Sequence, residues 1–119
     1  MIFAKIKGMI EDYSFFIWGL IELYQSTFEN KYIDLALSLS EYQLDNFWDE
    51  KDGGFFFTSK KSEELLIRNK EIYDGAIPSG NSVSAYNFIR LSKILSKPKY
   101  EEISNKIIDA FSNNLSRHS

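Results

Sequence analysis

Between Tyr13 and Tyr24 only Ser14, Gly19 and Glu22 interrupt a run of apolar residues. This run predicts a helix over about 10–27 that is buried on nearly all sides. The next segment has a different pattern. Asp34, Ser38, Glu41 and Asp45 recur at steps of three and four, opposite Tyr32, Leu35, Ala36, Leu39 and Leu44. That period predicts a second helix, over about 31–47, with Asn30 as its N-cap and one face in water. A third helix, over about 79–95, follows Pro78, and Ser79 or Asn81 can cap it. Its body mixes small and large residues from Val83 to Ile89, which lets another helix approach closely. A fourth helix, over about 99–115, follows Pro98. Tyr100, Ile103, Ile107 and Phe111 form its apolar seam, and Glu101, Glu102, Asn105, Lys106 and Asp109 face water.

Buried and exposed helices therefore alternate. Placing Tyr32 on Tyr100, an offset of 68 residues, also pairs Lys31 with Lys99, Leu23 with Leu91, Leu20 with Phe88, Leu35 with Ile103 and Leu39 with Ile107. Any two αα-hairpins align to some degree. A true repeat of inner and outer helices would build a toroid or solenoid.

The segment joining the second and third helices, about 49–77, is longer than the roughly 2–8 residues of a plain bundle connection. Asp52-Gly53-Gly54 is turn chemistry, and Phe55-Phe56-Phe57-Thr58 has strand propensity. Leu65-Leu66-Ile67-Arg68 can pair back on it, which predicts a short β-hairpin near 53–68. Helices one and three, each followed by a return helix, should run in the same direction. Their N-termini then share one rim, with Glu11, Asp12, Tyr13, Trp48, Asp49, the Gly-Gly turn and the segment from Arg68 to Ser82. Two helix N-termini there suit anionic or hydroxyl-rich ligands.

Several motifs on this rim carry a resemblance. They are Asp12-Tyr13, Gly19-Leu20, Phe47-Trp48-Asp49, Gly53-Gly54-Phe55-Phe56 and, above all, the run Asp74-Gly75-Ala76-Ile77-Pro78-Ser79-Gly80-Asn81-Ser82-Val83. From about Gly8 to Leu115 the chain resembles the YyaL-type family. Members of that family combine a thioredoxin-like domain with a six-hairpin α/α barrel. The resemblance implies an all-α fold: two αα-hairpins of such a toroid, filling residues 1–119 as a partial barrel domain. It implies a fragment, because neither the thioredoxin-like domain nor the other hairpins have a counterpart here. The flanks of a partial toroid are apolar, so pairing with the missing remainder of the barrel, or self-association, is expected. The barrel is shared with sugar epimerases and glycosidases, which makes a carbohydrate the implied ligand, by analogy of fold alone.

Composition narrows the chemistry. The 119 residues include 14 Lys+Arg, 17 Asp+Glu, no Cys and one His, with a net charge of −3. No basic patch points to nucleic acid. Thiol chemistry and His-based triads or metal clusters are excluded within these residues, and no metal or cofactor is called for. A phosphate-binding Gly-rich motif is lacking too. Lys5 and Lys7 precede an apolar stretch that Glu11 and Asp12 break, so no signal peptide or membrane span is predicted and a cytoplasmic location is expected. Aromatic residues make up 16%, enough for a broad core or an aromatic surface.

Each candidate residue has two readings. Asp12 and Asp74 read as a pair of acid–base carboxylates, or as a helix-terminal acid and a turn cap. Arg68 and Lys70 read as ligand-orienting cations, or as ion-pair partners of Glu71 or Asp74. Trp48, with Phe55, reads as a platform for a sugar face or as core; Tyr13 reads as a polar tip at the rim or as packing. Ser79 and Asn81 are candidate ligand contacts, while Gly53, Gly54, Gly75, Pro78 and Gly80 are read as turn residues. Two function classes stay open: a sugar-processing site with carboxylates lining a cleft, and a non-catalytic scaffold acting with a thioredoxin-like domain.

Overall fold

The computed structural model describes residues 10–56 and 79–118. Four helices follow one another: α1 (Ile10–Thr27), α2 (Asn30–Phe47), α3 (Ser79–Leu95) and α4 (Pro98–His118). α1 packs on α2, α3 packs on α4, and the two hairpins meet through α1 and α3. The expected all-α architecture of two αα-hairpins is therefore the observed one. α1 and α3 are the inner helices, and α2 and α4 flank them.

The helix starts follow local chemistry. Glu11 and Asp12 occupy the first turn of α1, where the positive end of the helix dipole favours them. α2 begins one residue earlier than expected. Glu29, with extended backbone and no side-chain capping bond, takes the N-cap position assigned above to Asn30. Pro98 opens α4, where its missing N–H costs nothing.

The 68-residue offset recurs in the backbone. α1 ends on Phe28 at φ 59° and α3 ends on Ser96 at φ 54°, both left-handed and 68 residues apart. The Phe28 N–H donates to the Tyr24 carbonyl (2.7 Å) and the Lys97 N–H to the Ser92 carbonyl (3.0 Å), and Tyr24 and Ser92 are themselves equivalent. At the start of each outer helix the Tyr32 N–H donates to Glu29 and the Tyr100 N–H to Lys97, again an equivalent pair. The two hairpins thus turn on the same left-handed residue, with the closing bond donated by Phe28 in one and by Lys97, the equivalent of Glu29, in the other.

The core lies between the four helices. Ile17, Ile21, Leu39, Phe47, Phe88, Leu91, Tyr100 and Ile107 are all fully buried. α4 behaves as its seam predicts: Tyr100, Ile107 and Phe111 are inside, and Glu101, Glu102, Asn105, Lys106 and Asp109 are exposed. α1 departs from expectation. It is not buried on nearly all sides, since Phe15, Phe16, Trp18 and Leu23 are exposed on the face away from α2. A helix apolar all round needs a neighbour on every side, and here α1 has neighbours on two.

The expected β-hairpin is not present among the described residues. Phe55 instead pairs back on Trp48 in a single antiparallel bridge. Its expected partner, the segment 65–68, lies outside the described residues.

Candidate functional site

The N-termini of α1 and α3 do lie side by side. A Cβ added to Gly80 would stand 2.7 Å from Ile10 Cγ2 and 3.3 Å from Glu11 Cγ. Gly80 is therefore a close-approach glycine at this rim. Its carbonyl lies 2.8 Å from Ser14 Oγ and accepts from Ser84 Oγ at 2.7 Å.

The Gly-Gly turn is fastened to the same end. The Gly53 N–H donates to the Asp49 carbonyl and the Asp49 N–H to the Gly54 carbonyl, each at 2.9 Å. Asp49 Oδ1 accepts from the Lys51 N–H (2.9 Å) and the Asp52 N–H (3.2 Å), the pattern of an Asx turn. Gly53 and Gly54 stand at φ 79° and 84°, a region L side chains rarely adopt. They return the chain to Phe55, whose backbone is held on both sides by one side chain. Asn81 Oδ1 accepts from the Phe55 N–H (2.7 Å), and Asn81 Nδ2 donates to the Phe55 carbonyl (3.0 Å). The carboxamide does the work of a neighbouring strand.

The rings follow the backbone. Phe55 is fully buried, edge-on to Trp48 (5.1 Å, 72°) and stacked on Phe88 (5.9 Å, 17°). Trp48 keeps part of its surface and borders a cleft of about 260 Å³ with Asp49, Lys106 and Asp109. Tyr13 is buried, stacked on Tyr42 (5.4 Å) and tilted against Phe47 (5.2 Å). Burial, then the neighbouring Tyr42 and the Asp12 charge, push its hydroxyl up to about 12. Asp12 itself is exposed on the first turn of α1. The structure thus brings Asp12, Tyr13, Trp48, Gly53, Gly54, Gly80 and Asn81 to one end of the molecule. Ser79 begins α3 there. Asp74, Arg68, Lys70, Gly75 and Pro78 lie outside the described residues.

Two features escaped the sequence reading. One is a buried polar seam between the inner helices. Ser14 and Ser84 touch at 2.6 Å, and Gln43 Nε2 donates to Ser84 Oγ at 2.6 Å. Asn87 Nδ2 donates to the Ser14 carbonyl at 2.9 Å, while Gln43 Oε1 and Asn87 Oδ1 accept nothing. The signal was Ser14 inside the apolar run of α1. The second is a groove of about 400 Å³ on the open face of the inner pair, lined by Phe15, Trp18, Ser82, Val83 and Tyr86. Phe15, Trp18 and Tyr86 expose 48%, 42% and 52% of their surface. Arg90 stacks on Tyr86 from below, at 5.1 Å from its ring centre, and pairs with Glu22 at 2.8 Å. Among the described residues no three acidic, His or Cys side chains converge as metal ligands, and no helix is long and apolar enough to cross a membrane.

The chain is 36% identical over 111 residues to mouse spermatogenesis-associated protein 20, which covers 92% of this chain. The human protein of that name matches equally, at 36% over 111 residues. This chain is homologous to part of the spermatogenesis-associated protein 20 family. An uncharacterised protein of Caenorhabditis elegans, B0495.5, is 32% identical over 102 residues. The chain spans about 14% of the length of the curated relatives it matches. No family model matches it, and neither does any solved structure.

Proposed function

We propose that the open face of the inner helix pair binds a carbohydrate-type ligand, as one wall of a larger helical barrel of the spermatogenesis-associated protein 20 family. The observation that carries this reading is the groove lined by Phe15, Trp18 and Tyr86. Aromatic faces held half-exposed by a rigid scaffold suit the apolar faces of sugar rings, and Ser82 beside them offers a hydroxyl. In this reading Asp12 and Asp74 are the acid–base carboxylates of the intact parent, giving it epimerase- or glycosidase-like chemistry. Arg68, Lys70 and Ser79 orient hydroxyls around them. No cofactor is needed for such chemistry.

A titration with mono- and disaccharides tests the proposal, read by Trp18 fluorescence in a Trp48→Phe background. A saturable change with one sugar class, lost in Tyr86→Ala and weakened in Asp12→Asn, is the expected result. No response to any sugar from a folded protein would overturn it.

A second reading has its own support. Asn81, Gly80, Phe55 and Asp49 are each taken up by internal contacts. That favours a non-catalytic scaffold, acting in the parent with a thioredoxin-like domain. Asp74→Asn in the full-length parent separates the two. Lost activity with unchanged stability supports the enzyme, and lost stability supports the scaffold.

A further inference from the structure

The α1–α3 interface between the hairpins can be carried along the chain by the 68-residue offset. In that interface α3 receives α1 through Gly80, Ser84, Asn87 and Arg90. The offset moves Ser84, Asn87, Arg90 and Leu91 onto Phe16, Gly19, Glu22 and Leu23 of α1. Those four residues line an open groove of about 470 Å³. A Cβ on Gly19 would meet nothing within 4 Å, so the surface is open to a close helix. The open face of α1 is thus the repeat-equivalent of the face of α3 that α1 itself covers.

The complementary surface is also present. α1 docks through Ser14, Ile21, Glu22 and Gln25. Their equivalents at 68 residues are Ser82, Ile89, Arg90 and Lys93 of α3; Arg90 is itself held by α1, through Glu22 and Gln25, and Lys93 is exposed. Charge agrees: where Gln25 meets Arg90 within the chain, the exposed Lys93 of a second chain would meet Glu22, which keeps about half of its surface. Size agrees as well, since the small Ser82 would meet Phe16. The outer helices repeat the pattern. Glu41 of α2 pairs with Lys99 (3.1 Å) and accepts from the Tyr100 hydroxyl. The equivalents are Asp109, Lys31 and Tyr32, an acid facing the same cation and the same phenol.

We propose that a second copy of this chain docks its α3 on the open face of α1, head to tail, repeating the α1–α3 packing seen within one chain. Such a contact uses different patches on the two partners, so it propagates to further copies or closes into a ring. The Trp18 and Tyr86 faces of the aromatic groove stay open in the assembly, while Ser82 at its edge turns to the second copy. Trp18 remains half-exposed although α1 is already docked, and Tyr86 is its equivalent.

Disulfide trapping tests this without background, because the chain has no cysteine. Ser14 and Ser84 touch, so their counterparts Ser82 and Phe16 should meet between copies. Phe16→Cys and Ser82→Cys proteins, each shown folded by far-UV circular dichroism, are oxidised separately and mixed. A cross-linked dimer in the mixture alone is the expected result. A dimer of Phe16→Cys with itself would mean a two-fold interface and overturn the head-to-tail arrangement. No cross-link, or a monomer by sedimentation at about 100 µM, which populates any complex with a Kd in the low micromolar range, would overturn the proposal. The outer contact gives a second check. Asp109→Lys should weaken association by about tenfold, and adding Lys31→Glu should restore it. Equal weakening in both proteins would also overturn the proposal.

Discussion

The two hairpins share a backbone plan and differ in what fills it. Both inner helices end on a left-handed residue, Phe28 or Ser96, and both outer helices begin with a Lys-Tyr pair. Yet α3 receives its neighbour with Gly80, Ser84 and Asn87, whereas α1 offers Phe16, Gly19 and Leu23 at the last positions of the same face. The offset preserves the geometry of the turn because a few hydrogen bonds and one φ value fix it. Interface chemistry is free to vary, because each face need only match the helix that covers it.

The sharpest break of this comparison is a pair of equivalent leucines. Leu91 is fully buried, while Leu23 keeps 45% of its surface. Leu91→Ala should cost about 2–5 kcal/mol, the usual cavity cost. Leu23→Ala should cost only about 0.5 kcal/mol in dilute solution, as an exposed substitution does. Urea denaturation measures both. Equal losses would mean that the open face of α1 is covered in solution.

Asn81 and Tyr13 form the next pair, equivalent positions in the first turns of α3 and α1. Tyr13 fills its site with a ring, whereas Asn81 fills its site with two hydrogen bonds to Phe55. Asn81→Ala leaves a buried N–H and C=O unpaired and should cost about 1–3 kcal/mol. Amide exchange should speed up at Phe55 before the helices open. A variant with unchanged stability and weakened sugar binding would instead put Asn81 in contact with ligand.

These pairs show what the chain made legible. The four helices, their alternation and the shared rim follow from apolar period and from Pro78 and Pro98, signals that are local in sequence. The exposed face of α1 was not legible. Apolar residues at Phe15, Phe16, Trp18 and Leu23 say that a face seeks cover and do not say which chain supplies it. The role of Asn81 was equally hidden. A polar residue in the first helical turn reads as a cap, and only the path of the Asp49–Gly54 turn brings Phe55 within its reach. The polar seam of Ser14, Gln43 and Ser84 needs three helices in register before it exists at all.

The loops give a smaller and matched effect. Ser96 and Phe28 both hold a left-handed backbone without glycine's freedom, at about 1 kcal/mol each. Ser96→Gly should raise stability by most of that amount. Phe28→Gly should gain less, because it gives up the edge contact between Phe28 and Tyr24 at 6.2 Å. Thermal midpoints of the two variants check this, and a loss in Ser96→Gly would mean that the turn is set by something other than φ.

The smallest expected effect is a pH dependence that sets Tyr100 apart from its equivalent, Tyr32. Burial pushes the Glu41 carboxyl up, but hydrogen bonds from Tyr100 and Lys99 and the charges of Lys99 and Lys97 outweigh it, so its pKa is lowered. A carboxyl with a lowered pKa binds its proton less tightly when the chain is folded. Its contribution is therefore present above the unfolded value of about 4.3 and is lost as pH falls through the folded value. Between pH 6 and pH 3, roughly the span of carboxyl titration, the urea midpoint should fall less steeply in Glu41→Gln than in wild type. Tyr100→Phe should reduce the slope in part, since Lys99 still faces Glu41. Tyr32→Phe, at the equivalent place in the first hairpin, should leave it as in wild type. The effect is modest because the Glu41 side chain keeps 41% of its surface in water. An acid slope unmoved by Glu41→Gln would remove the one electrostatic difference between the two tyrosines and leave burial alone to separate them.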